Sequence, residues 1–115
     1  MGKSSQSKGR RAELEITKIF RSYGIPAQPG RAISFGTTPD ITGIDGIHAG
    51  VKNVQNLNIP AALRQAAEDA SYFSDGLPTV FHKHRGGVWV ASMPLSDWVK
   101  MYEVYAKQVT DSHSI

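Results

Sequence analysis

Apolar side chains at Ala12, Ile16, Ile19, Phe20 and Tyr23 recur every three or four residues, the spacing that lines one face of an α-helix. Gly24 follows where a left-handed cap would end it, so the pattern predicts a helix over residues 8–23 behind a polar, frayed arm at 1–7. A second stripe runs through Ile59, Leu63, Ala66, Ala67, Ala70 and Phe73 and closes at Asp75-Gly76. It opens at Asn58-Ile59-Pro60, where a proline in the first turn gives up an N–H that has no partner anyway. Its alanines would let that helix lie close on a sheet. A third stripe, Trp98, Met101, Tyr102 and Tyr105, follows the capping sequence Pro94-Leu95-Ser96-Asp97. An aromatic stripe of this kind is more often core or a dimer contact than a platform for stacking bases. The tail from Thr110 is polar and reads as loose.

Between the stripes the period changes to two. Residues 24–39 carry Pro26, Pro29, Gly30 and Gly36 and read as a loop around one short strand at 32–35. Pro39 then marks the entry to a hairpin, since proline cannot sit inside a sheet. Ile41, Ile44, Ile47 and Val51 supply its β-branched content, and Asp45-Gly46 is the turn signal. In the second strand Ile47, Ala49 and Val51 share the core-facing side, while His48, Gly50 and Lys52 share the other. Residues 79–85 and 88–93 form a second hairpin around Gly86-Gly87. The helix between Lys52 and Thr79 calls for a parallel strand pair, so the chain predicts an α/β domain with a mixed sheet flanked by helices.

Composition adds bounds. At 115 residues the chain fits one domain with one core. It has no cysteine, which removes disulfides and cysteine-held zinc and fits a reducing cytoplasm. No apolar run approaches the ~20 residues of a membrane span, and the start lacks the apolar stretch of a secretory signal. A net charge of +3 makes a polyanion a reasonable partner. Lys3, Lys8, Arg10 and Arg11 crowd the start of the first helix, where the macrodipole disfavours cations and a phosphate would relieve the conflict. Lys83, His84 and Arg85 sit at the tip of the second hairpin, where they would grip phosphates or simply keep an edge strand from pairing. Arg31 and Ser34 lie just upstream of the first hairpin, within reach of a phosphate, and Thr37 and Thr38 suit ordinary turn chemistry. His82 and His84 lack a third partner for zinc. The chain has no glycine-rich phosphate loop, helical His-Glu-x-x-His or nucleophile elbow.

Pro39-Asp40 followed by Gly50-Val51-Lys52 resembles the PD-(D/E)xK signature of metal-dependent nucleases, with glycine where the family has its second acidic residue. Lys8-Gly9-Arg10-Arg11-Ala12-Glu13-Leu14-Glu15 resembles the first-helix motif of Holliday-junction resolvases of the archaeal type. Leu57-Asn58-Ile59, Ala62-Leu63-Arg64-Gln65-Ala66 and Val88-Trp89-Val90 are similar to segments of related phage-encoded nucleases, and the resemblance runs from about Lys8 to Tyr102. It implies a restriction-endonuclease-like core and a divalent-metal-dependent endonuclease acting on branched DNA such as a four-way junction. Such an enzyme nicks two strands symmetrically and works as a homodimer. Glu13, Asp40 and the carbonyl of Val51 would hold Mg²⁺ or Mn²⁺, and Lys52 would orient water or support charge on the phosphate. Periodicity leaves Glu13 and Glu15 both at the border of the helix stripe; the resemblance favours Glu13. Gln65 faces away from its helix stripe, and the resemblance alone suggests a site role. With glycine at position 50, metal binding should weaken and the chain should be catalytically disabled. The alternative is a non-catalytic DNA-binding protein on a nuclease fold.

The metal site also constrains the turn. A plain two-residue loop at Asp45-Gly46 would set Asp40 opposite Val51, on the wrong face. A three-residue loop with a bulge, or an equivalent one-residue irregularity, brings Asp40 opposite Gly50.

Overall fold

A computed structural model describes residues 2–30, 39–84 and 87–113, with side chains described within residues 9–112. In chain order its elements are α1 (Gly2–Ser22), β1 (Gln28–Pro29), β2 (Ile41–Thr42), β3 (Ile47–Lys52), α2 (Ile59–Phe73), β4 (Leu77–Lys83), β5 (Trp89–Ser92) and α3 (Leu95–His113). The strands form one sheet in the order β1-β2-β3-β4-β5. All neighbours are antiparallel except β3 and β4, which run parallel across the α2 crossover. This is the mixed α/β sheet that the alternation of periods predicts.

The two faces of the sheet are covered differently. Ile16 of α1 packs with Ala27, Ile41, Ala49 and Phe81, and Phe20 meets Phe81 edge-on at 5.3 Å. Ala62 and Ala66 of α2 pack on Val80, the neighbour of Phe81 in the same strand and therefore on the opposite face. Small residues on α2 bring it close to the sheet, as the alanine run suggests. Asn58 caps α2 by accepting the N–H of Ala61, and Ser74 ends it in a left-handed conformation.

Four boundaries differ from the expected ones. α1 begins at Gly2 rather than near Lys8, because extending a helix already anchored at Ala12 and Ile16 needs no new nucleus. The same holds for α3, which continues past Thr110 to His113. Tyr23 lies outside the helix and is 78% exposed, so Thr17, not Tyr23, completes the buried stripe. An unexpected edge strand forms at Gln28–Pro29, paired to β2 and followed by a hydrogen bond from the Gly30 N–H to the Asp40 carbonyl at 2.7 Å. Proline is tolerated there because the outer side of an edge strand needs no ladder donor. The strand expected at 32–35 lies outside the described residues.

The hairpin between β2 and β3 carries the expected one-residue irregularity. Ile47 closes on the carbonyl of Ile44 at 3.1 Å around Asp45-Gly46, which by itself would set Ile41 opposite Gly50. Instead Ile41 pairs with Ala49. The extra residue is accommodated beside Gly43, whose φ of 86° is open to glycine and strained for other residues. The irregularity therefore sits ahead of the turn, not in a three-residue loop.

Candidate active site

Glu13 and Glu15 are two positions apart on α1, so their side chains diverge by about 200° and cannot serve one site. Glu15 turns toward the second hairpin, where its Oε1 accepts from Trp89 Nε1 at 2.9 Å and from Lys83 Nζ at 3.1 Å. Those two hydrogen bonds, the one from Trp89 first, hold its carboxyl below the usual range. Glu13 turns toward Asp40. It is half-buried, and burial first, then the Asp40 charge, pushes its pKa up to about 7 against the pull of Arg10.

Asp40 brackets position 50. Its N–H donates to the Ala49 carbonyl at 3.0 Å, and its Oδ2 accepts the N–H of Val51 at 2.7 Å, so it clasps β3 on both sides of Gly50. Its pKa is raised, with burial the largest cause; the Val51 N–H, Lys52 and His48 oppose that, and Asp69 adds to it. Lys52 is exposed at the end of β3. Gly50 has ordinary strand geometry with no positive φ, and among the described residues a Cβ built there would meet only the Thr79 carbonyl, at 3.8 Å. Nothing in the backbone demands a glycine at this position.

Two groups near Asp40 are absent from the sequence-based set. His48, expected on the side away from the core, is buried: its Nδ1 lies 2.8 Å from both oxygens of Asp75, and its ring stacks on Phe73 at 6.2 Å. The only sequence signal was its place two residues before Gly50. Asp69 sits one turn after Gln65 on α2, and Gln65 Nε2 donates to it at 3.1 Å. Gln65 is thus exposed and bound to Asp69 rather than joined to the carboxylates of Glu13 and Asp40.

The basic candidates do not form one described surface. Arg10 and Arg11 are exposed on α1, with Arg10 near enough to Glu13 to act on its charge. Lys83 is held by Glu15 and lies 5.5 Å from the Trp89 ring centre. The backbone of Lys8 is helical, and its side chain lies outside the described residues, as do Arg31, Ser34 and Arg85 altogether.

A hard cation such as Mg²⁺ takes about six oxygen ligands and keeps several waters. Glu13 and Asp40 supply two carboxylates whose mutual repulsion a cation would relieve. Among the described residues, however, no three acidic or histidine side chains come together as a set that could hold a metal. Asp40 already spends one oxygen on Val51, and position 50 contributes nothing. Among the described residues, Glu13 and Asp40 alone make no set of three side-chain donors for a resident metal ion. No family model, curated protein or solved structure matches the chain.

Proposed function

We propose that this chain is a DNA-binding protein on a PD-(D/E)xK nuclease fold of the Holliday-junction-resolvase type, with its cleavage centre disabled at Gly50. The observation that carries the reading is the clasp of Asp40 around Gly50, with Glu13 turned into the same desolvated pair and Lys52 two residues on. A hairpin of this length reaches that arrangement only through an added residue, the same register that sets Ile41 beside Ala49 in the core. Two half-buried carboxyls with raised pKa values beside a lysine are what phosphodiester chemistry uses and what a plain structural hairpin avoids. The substrate class is branched DNA, met in the cytoplasm, and Arg10 and Arg11 at the exposed side of α1 supply phosphate contacts.

The test compares a four-way junction with a duplex of the same sequence. The chain should bind the junction at low salt, lose affinity steeply as salt rises, and leave it uncut with or without Mg²⁺. Gly50→Glu should gain Mg²⁺-dependent nicking, and Gly50→Glu combined with Lys52→Ala should not. Binding without nicking by Gly50→Glu would favour a protein that has only the binding role. Absence of binding to either DNA at low salt would end the nucleic-acid reading.

A further inference from the structure

We propose that the open edge of β5 and the apolar groove beside it receive an extended peptide of a partner protein, added to the sheet as a further strand with large apolar side chains at every second position. The inference is independent of the nuclease reading and would hold for a cutting or a non-cutting protein.

The two edges of the sheet are finished differently. β1 has two residues, one of them Pro29, which has no N–H to offer. β5 has four, Trp89, Val90, Ala91 and Ser92, with no proline, glycine or charge among them. Its ladder to β4 fixes which way each residue turns. The His84 N–H donates to the Val88 carbonyl at 2.7 Å, and facing residues alternate between bonded and unbonded pairs along an antiparallel ladder. With His82 opposite Val90 and Val80 opposite Ser92, those two are the bonded pairs. The N–H and C=O of Trp89 and Ala91 therefore point away from β4, and among the described residues they meet no hydrogen-bond partner. Apart from water, what completes such a row of donors and acceptors is another strand.

A groove of about 870 Å³ borders the same strand, lined by Phe81, Ala91 and Met93 from the sheet and by Trp98 and Met101 from α3. Phe81 and Ala91 are ladder partners on one face, so every second side chain of an added strand falls on the groove side. Trp98 and Met101 are half-exposed, and Trp98 stacks on Tyr102 with ring centres 5.4 Å apart, which holds that wall in place. A separate peptide fits this site better than β5 of a second copy. The side chains that a second β5 would turn to this face are Ala91, a methyl group, and Trp89, already packed on its own core. Neither fills the groove. Four residues, about 13 Å of strand, also fall far short of the ~20–30 residues a side that make a stable interface between folded copies. Residues 86–95 carry no charged side chain, so a phosphate backbone finds no cation along this edge, whereas an uncharged peptide matches it.

The probe is a pool of synthetic peptides of about eight residues, with Leu, Ile, Val, Phe or Met at alternate positions and Ser or Thr between. Some members should bind the full chain with a Kd of about 10–100 μM in calorimetric titration. Binding should slow hydrogen exchange at the Trp89 and Ala91 amides at least roughly tenfold. N-methylation of alternate peptide amides should weaken a bound member at least roughly tenfold in one phase, the one that faces β5, and little in the other. Ala91→Pro removes an N–H that β4 does not use and should abolish binding. Met101→Glu, on the groove wall and away from the sheet, should weaken it at least roughly tenfold with far-UV circular dichroism unchanged. Failure of every member to bind below about 1 mM would overturn the proposal. Equal affinity for both methylated forms would overturn it too, in favour of a groove for apolar molecules of any backbone. Protection of Trp89 and Ala91 in the peptide-free chain, growing with its concentration, would overturn it in favour of a second copy.

Discussion

Gly76, just ahead of β4, and Gly50, inside the neighbouring β3, teach opposite lessons. Gly76 stands where the chain enters β4, with φ 143°, and a Cβ there would run into the backbone of Gly46, whose carbonyl accepts the Leu77 N–H at 2.8 Å. Only glycine allows the hairpin turn and the parallel strand to approach so closely. At Gly50 the backbone is an ordinary strand, and among the described residues a Cβ would make only an ordinary contact with the Thr79 carbonyl. One glycine is required by the fold and the other is not. The absence of a side chain at position 50 therefore bears on the chemistry beside Asp40 more than on folding.

The sharpest test of that contrast is chemical. Gly50→Glu should raise nicking of a four-way junction in Mg²⁺ by three or more orders of magnitude, given that a catalytic metal supplies several kcal/mol and each ~1.4 kcal/mol is tenfold. Strand counting on a labelled junction would read this out. A fold that collapses on this substitution would erase the difference between the two glycines. Gly76→Ala should do what Gly50→Glu does not: it should lower stability in urea by about 3 kcal/mol or more, the scale of a forced backbone clash and a strained φ. A loss under ~1 kcal/mol would mean that the turn and β4 have room to separate.

The third test uses the carboxyl beside the gap. Glu13 binds its proton more tightly in the fold, with a pKa of about 7 against an ordinary 4.5. The stability this gives is present below about pH 4.5 and is lost as pH rises through about 7. Glu13→Gln should therefore gain on the wild type in denaturant midpoint between about pH 4 and pH 8. A constant difference across that range would show that Glu13 is not held in a desolvated place beside Asp40. The smallest effect belongs to Gly50→Ala, which should stabilise the domain by about 0.5–1 kcal/mol, because glycine loses more freedom on entering a strand. Thermal unfolding at neutral pH would measure it. A destabilised alanine variant would place Gly50 in the same class as Gly76.

The periods of the chain determined most of the architecture: three helices from spacings of three and four, and the hairpins from alternation around Asp45-Gly46 and Gly86-Gly87. The crossover helix fixed the parallel pair β3–β4, since no short connection joins parallel strands. The one-residue irregularity follows from the resemblance, which asks for Asp40 opposite position 50, while its place beside Gly43 came from the structure. Local pattern carries this information because neighbouring residues share one backbone geometry. Tertiary structure alone decided the rest. Whether Glu13 or Glu15 faces the site depends on Trp89 and Lys83, more than 65 residues away, which claim Glu15. Burial of His48 depends on Asp75 and Phe73 arriving at the far end of α2, and Gln65 is bound to Asp69 rather than to the site. β1 has only two residues and no period to read, and it exists because Asp40 and Ile41 present an edge to pair with. The exposure of α3 was equally hidden, because an apolar stripe specifies that a helix face must be covered and says nothing of which surface covers it.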